Sequence, residues 1–204
     1  MPKDLAILVA DGDIRAAIEG LLARPSAIPI RPLTYDLIVH PQRDPGVRLR
    51  SRGLLAPFRT THSYALVILD HEGCGAVSST PDEVQVEIES GCAVDWQNRV
   101  CAVAISPELE SWVWSDSPQV DSALGWSGRQ PDLRQWLTDS GFAATRNDKP
   151  ARPKEAFHAA IRIVGQPRSS TVFKKLGESV GLNRCRDRAF ARLRQSLQTW
   201  FPVA

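Results

Sequence analysis

The run Leu5 to Ala10 is apolar at every position and is closed by Asp11-Gly12-Asp13. A strand with no polar alternation is buried on both faces, and only a sheet covered by layers above and below provides that environment. A helical pattern follows at once. Ile14, Ala17, Ile18, Leu21 and Leu22 recur at spacings of three and four, with Arg15, Glu19 and Arg24 on the other side, until Pro25 stops the helix.

The strand-turn-helix unit then repeats. Leu33 to Val39 reads as a second extended segment, ended by His40-Pro41-Gln42-Arg43-Asp44-Pro45-Gly46 and followed by a basic helical stretch containing Leu49, Leu54 and Leu55. Tyr64 to Leu69 is a third buried strand, ended by Asp70-His71-Glu72-Gly73. Thr80 to Asn98 reads as an acidic helix with Thr80 as N-cap, Pro81 at the first helical position and Glu83 as the capping-box acid. Val100 to Ile105 is the fourth strand, and Ser106-Pro107 suits the start of a helix. Strands alternating with helices imply an α/β fold with a mainly parallel four-stranded sheet, its helices on both faces and all strand ends at one edge.

Beyond Trp112 and Trp114 the pattern changes. Short helical pieces around Asp121 to Trp126 and Asp132 to Ser140 lead to a polar linker, Asn147 to Pro153. A helical tail follows, with one face of Phe157, Ala160, Ile161 and Val164, another of Val172, Leu176 and Val180, and a third of Phe190, Leu193, Leu197 and Trp200, the last helix capped by Asp187. The expected division is an α/β core over residues 1–116 and a helical, basic C-terminal extension over residues 117–204 packed on it. With 204 residues and 43% hydrophobic content, the chain can bury a substantial core. The tryptophans, Trp126 and Trp136 among them, read as part of that core rather than as stacking platforms.

No run of eighteen apolar residues and no leader-like N-terminus is visible, so a cytoplasmic protein without membrane contact is expected. Cys74, Cys92, Cys101 and Cys185 form no Cys-x-x-Cys pair and read as reduced packing residues. The net charge of +2 conceals a division: 12 basic against 19 acidic residues up to Thr145 (net −7), and 13 against 4 beyond it (net +9). An acidic part suits metal binding and a basic part suits a polyanion.

In an open α/β sheet, ligands bind outside the carboxyl ends of the strands. Three of those ends each deliver two acids: Asp11 and Asp13, Asp70 and Glu72, Glu108 and Glu110. So many carboxylates repel one another unless cations neutralise them, and hard oxygen donors suit Mg²⁺ or Mn²⁺. Each pair also has a plainer role open to it. Asp11 or Asp13 would serve as a helix N-cap, and Glu108 with Glu110 would complement a helix dipole starting at Pro107. Asp70 and Glu72 have less structural reason to end a buried strand. His40-Pro41 and Asp44-Pro45-Gly46 read as turn chemistry that fixes the following helix, with a proton-shuttle or ligand role as the alternative for His40, and His71 is expected to face away from its acidic neighbours.

The acid-rich turn after the first strand, Asp70-x-Glu72 after the third and Pro107-Glu108-Leu109-Glu110-Ser111-Trp112 after the fourth resemble Toprim-type proteins related to the OLD-family nucleases, over about residues 4 to 116. Asp70-His71-Glu72-Gly73-Cys74-Gly75, the segment Pro107 to Trp114 and Arg152-Pro153-Lys154-Glu155-Ala156 are more closely similar to a small component of bacterial methylation-associated antiphage defence systems. The chain departs from the Toprim pattern in carrying Asp11 and Asp13 where a glutamate is usual, and Glu72 where the second aspartate of Asp-x-Asp is usual. The resemblance implies Mg²⁺- or Mn²⁺-assisted phosphodiester cleavage. Asp70, Glu72, Glu108 and Glu110 would be metal ligands, and Asp11 or Asp13 a ligand or general base. It also implies a basic residue near the scissile phosphate, for which Arg43 and Lys154 are the candidates.

The tail concentrates Lys174, Lys175, Arg184, Arg186, Arg188 and Arg192, with Arg194 beyond, as candidates for nucleic-acid phosphates or for the acidic face of another defence protein. The alternative to a nuclease is a non-catalytic Toprim-like subunit docking through this tail. A homodimer or a larger complex is expected from tail helices that do not all bury their apolar faces alone.

Overall fold

The computed structural model of the chain describes residues 2–182 and 185–203. Four strands, β1 (Lys3–Val9), β2 (Tyr35–Val39), β3 (His62–Asp70) and β4 (Val100–Ile105), form one sheet in the order β2-β1-β3-β4, and every pairing is parallel. The α/β architecture expected from the apolar runs is therefore present. Leu5 to Ala10 and Ala65 to Leu69 are fully buried, because β1 and β3 are the two central strands. Each large apolar side chain withdrawn from water there contributes about 1.5–3 kcal/mol.

Helix α1 (Gly12–Leu22) follows β1, α2 (Arg43–Leu55) follows β2 and α3 (Pro81–Trp96) follows β3. Thr80 and Glu83 form the reciprocal capping box read from the sequence. The helix expected from Pro107 starts later. The short α4 spans Glu110–Val113, because the N–H of Leu109 is taken by the Asp70 carboxylate at 2.9 Å and Ser106 makes no cap. Five further helices complete the described residues: α5 (Gln119–Ala123), α6 (Leu133–Asp139), α7 (Pro153–Ile163), α8 (Ser170–Ser179) and α9 (Arg188–Trp200).

The tail packs on the rest of the chain in two places, against α1 and against β4. Helix α8 runs parallel to α1 at backbone contact, which glycines permit. A Cβ at Gly20 would lie 2.3 Å from the Lys174 carbonyl oxygen, and one at Gly177 would lie 2.6 Å from that of Ala17. The outer edge of β4 is capped by side chains. Glu89 and Gln85 of α3 accept the N–H groups of Ala102 and Ala104 at 2.7 and 3.2 Å, and Arg192 of α9 donates to the Ala102 carbonyl at 2.8 Å. These bonds satisfy an edge otherwise open to pairing with another chain. Trp96, Trp114, Phe157 and Phe201 are fully buried, and the four cysteines are free thiols. Among the described residues, no helix is long and apolar enough to cross a membrane.

Candidate metal centre at the strand exits

All four strands end at the same edge, as parallel order requires. At the exit of β1, Asp11 caps α1, its Oδ1 accepting the N–H groups of Asp13 at 2.9 Å and Ile14 at 3.0 Å. The capping role open to it in the sequence is filled, and it uses one oxygen of the two. Asp13 accepts from Arg168 at 2.9 Å and from the Ser170 hydroxyl at 2.5 Å, so the start of α8 neutralises it.

At the exit of β2, the buried His40 ring accepts the Gln42 N–H on Nδ1 at 3.0 Å and lies where a Cβ on Gly46 would be 2.2 Å from its Cε1. This is the turn role expected of His40, and burial, then Arg50, lowers its pKa. The packed ring fixes the first turn of α2, where Arg43 has φ +49° and Asp44 follows. The Asp44 carboxylate accepts the Asp70 N–H at 2.8 Å, and burial, opposed by its backbone hydrogen bonds and reinforced by Asp11, pushes its carboxyl up.

Asp70 is the centre of the arrangement. Burial, then the charges of Asp44, Glu110, Asp11 and Glu108, push its carboxyl up to about 9. From the exit of β4, Glu108 and Glu110 are 6% and 3% exposed. Glu108 accepts from Lys154 at 2.7 Å, and Arg168 stands 3.9 Å from Glu110. Burial raises Glu110, with Glu108 adding to it. Lys154 is held up despite burial by its bond to Glu108 and by Glu110 and Asp70. His158, one turn along α7 from Lys154, keeps its Nε2 buried without a hydrogen-bond partner among the described residues. Burial first, then Arg168 and Lys154, lowers its pKa.

The structure thus brings Asp11, Glu108 and Glu110 near enough for their charges to raise Asp70, and adds Asp44, which is outside the acids expected at the site from the sequence. Asp44 lies in the exit loop of β2, as the other acids lie in theirs, and that was the available signal. Arg168 had no such signal. Glu72 is not brought in: its side chain is exposed, its N–H donates to the Pro107 carbonyl at 2.9 Å, and it is not among the charges that raise Asp70. The His71 ring bonds the Ser79 carbonyl at 2.8 Å, away from the acids. Of the two basic candidates, Lys154 reaches the carboxylates and Arg43 is exposed at the start of α2.

The tail cations are dispersed. Lys174 and Lys175 are exposed on α8, Arg186 and Arg188 are exposed at the start of α9, and Arg192 pairs with Glu89 at 2.6 Å. Arg184 lies outside the described residues.

Asp11, Asp44, Asp70, Glu108 and Glu110 face two cations, Lys154 and Arg168, the second shared with Asp13. Among the described residues, no group of three or more His, Cys, Asp or Glu side chains is already arranged to hold a metal ion. The donor chemistry nevertheless fits a hard divalent cation, since all five groups offer oxygen. Their mutual repulsion is relieved by protonation of Asp70 or by a cation in its place. No protein-family model matches the sequence, and comparisons with curated proteins and with solved structures also give no match.

Proposed function

We propose that this chain is a Mg²⁺- or Mn²⁺-dependent nuclease, hydrolysing phosphodiesters in the bacterial cytoplasm as part of antiphage defence. The observation that carries the proposal is Asp70, half-buried among four other carboxylates and raised to about 9. Perturbed acids with specific charge partners cluster at functional sites, and ligands of open α/β sheets bind at the strand ends. The Toprim-like order of acids along the sequence supports the same reading and supplies the defence context.

Asp70, Glu108 and Glu110 would hold the cation, with Asp44 and the free oxygen of Asp11 completing its surroundings. Bound there, a divalent cation supplies Lewis-acid charge and lowers the pKa of water. Lys154, anchored on Glu108, presents a positive charge at the rim for a phosphate oxygen, and Asp11 is placed to accept a proton. Incubation of the pure protein with labelled DNA and RNA in Mn²⁺ tests this reading. Cleavage is expected to be lost in Asp70→Asn with the fold intact by circular dichroism, and unchanged cleavage removes the assignment.

One observation favours a second reading, a non-catalytic Toprim-like subunit that binds nucleic acid or partner defence proteins. Lys154 and Arg168 already stand against Glu108, Glu110 and Asp13, as internal cations would in a site that no longer takes metal. Calorimetric titration with Mn²⁺ separates the two, because a folded wild type that takes up no cation fits only the subunit.

A further inference from the structure

A concave feature lies against the segment that follows β4. A cavity of about 1450 Å³ opens between the start of α3, the end of β4, the segment 146–149 and the start of α9. Its walls carry Arg134, Arg146 and Lys149 on one side and Arg186, Arg188 and Arg192 on the other. We infer that this groove binds the phosphodiester backbone of a nucleic-acid strand and leads it to the strand-exit carboxylates. The second half of the inference rests on the nuclease reading, and the first does not.

Size comes first. Small-molecule pockets run to about 1,000 Å³, so this groove suits an extended ligand.

The charges decide its nature. Four acids also line the groove, Asp82, Asp116, Asp148 and Asp187. Asp187 caps α9 and accepts from Trp112 at 2.9 Å, Asp148 accepts from Thr145, and Asp82 accepts from Gln85. Arg192 pairs with Glu89, Arg146 pairs with Asp132, and Arg134 and Lys149 donate to the Ser115 and Ser111 carbonyls, whereas Arg186 and Arg188 make no ion pair among the described residues. Arg188 is the first residue of the thirteen-residue α9, whose N-terminal half carries Arg192 and Arg194 as well and no acid. The Asp187 carboxylate already answers the positive end of α9, and an added anion would answer the arginines beside it. Local choices that oppose the fold's own electrostatics are expected at functional sites.

The walls fit phosphate better than protein. The two groove cations without an ion pair among the described residues, Arg186 and Arg188, are arginines, whose planar fork matches phosphate oxygens. A protein partner would require aromatic or aliphatic anchors. The exposed large apolar residues, Leu49, Val77, Val86, Val94, Ile163 and Val203, all lie off the groove. The segment after β4 is the common wall. Ser106 lines the groove, Glu108 and Glu110 belong to the acidic centre, and Lys149 bonds the Ser111 carbonyl at 2.8 Å.

The test is fluorescence anisotropy of a labelled oligothymidylate with the full chain in EDTA, over a series of salt concentrations. Binding is expected without metal. Because each phosphate contact on a single strand contributes about 0.7 to the salt slope, Arg186→Ala/Arg188→Ala should lower that slope by about 1.4. Arg59→Ala, at the opposite end of β3, should leave it unchanged. The pair Arg186→Gln/Arg188→Gln, with circular dichroism of each protein, guards against misfolding. No binding by wild type, or an unchanged slope in the folded double variants, overturns the groove. Separate Mn²⁺ calorimetry on the same variants should match wild type, so loss of the metal reading and loss of the groove show up in different experiments.

Discussion

The Asp44 carboxylate accepts the backbone N–H of Asp70 at 2.8 Å, tying the exits of β2 and β3 together across the end of β1, which lies between them. The bond holds both acids in a half-buried place where burial raises each carboxyl, the Asp44 charge raises Asp70 further, and the Asp70 N–H works against the rise at Asp44. It has a structural half, the accepted N–H, and an electrostatic half, the charge.

Substitution separates the two halves. Asp44→Asn keeps an oxygen acceptor and removes a charge. Without metal it should be more stable than wild type at pH 8, while its Mn²⁺ affinity falls about tenfold, a loss of about 1.4 kcal/mol. Asp44→Ala leaves a buried N–H unpaired, which costs about 1–3 kcal/mol. Thermal melts and calorimetry on the two variants check this, and Mn²⁺ binding by Asp44→Asn at wild-type strength removes Asp44 from the centre.

Asp70 sets a pH dependence whose sign follows from its raised carboxyl. Between the ordinary value of 3.8 and about 9, the folded protein holds a proton that the unfolded chain has released. Stability from this group therefore falls as pH rises through that window. Asp70→Asn cannot ionise. Its melting temperature should equal that of wild type near pH 4 and exceed it at pH 8 by at least about 1 kcal/mol, or about 2–4 °C for a chain of this size. Saturating Mn²⁺ should reverse the order: at a hundred times its dissociation constant, a ligand adds about 2.7 kcal/mol, and only wild type has the full site. A melting difference independent of pH places the perturbation elsewhere.

Lys154 holds the remaining balance. Its Nζ is 2.7 Å from a Glu108 carboxylate that is almost fully buried, while the lysine side chain is half exposed. Lys154→Met should destabilise the metal-free protein by about 1–3 kcal/mol at pH 7.5, since a buried charge loses its partner. Mn²⁺ should recover most of that loss, because a second cation answers the same carboxylates. Thermal melts with and without the metal decide it, and a loss equal in both conditions makes Lys154 a packing residue only.

The sheet and its edge were legible from local pattern. Unbroken apolar runs marked β1, β3 and β4, and Thr80 and Asp187 each cap the helix that follows. Asp11, Asp70, Glu108 and Glu110 were legible because strand order sends every exit to one edge. Glu72 was not, because the Asp-x-Glu spacing brings two acids together only in a strand that continues, and β3 ends at Asp70. Asp44 was masked by a proline-bearing loop that explained itself as a turn. Arg168 reaches Asp13 across 155 residues by the packing of α8 on α1, and no periodicity carries that register.

That packing makes the last expectation. Gly20 and Gly177 let α1 and α8 touch, and a Cβ on Gly20 would lie 2.3 Å from the Lys174 carbonyl, which belongs to rigid helix backbone. Gly20→Ala must push α8 away, at a cost of about 1–3 kcal/mol for overpacking, and the melting temperature should fall by several degrees. Gly53 in α2 and Gly91 in α3 have nothing within 4 Å of the same position. There alanine should stabilise, by up to about 1 kcal/mol through helix propensity alone. The sign of the effect therefore reports the contact. Because α8 begins where Ser170 and the preceding Arg168 hold Asp13, Gly20→Ala should also free Asp13 and change Mn²⁺ affinity, whereas Gly53→Ala and Gly91→Ala should not. Equal responses at the three glycines would dissociate the α1 and α8 contact from the carboxylate edge.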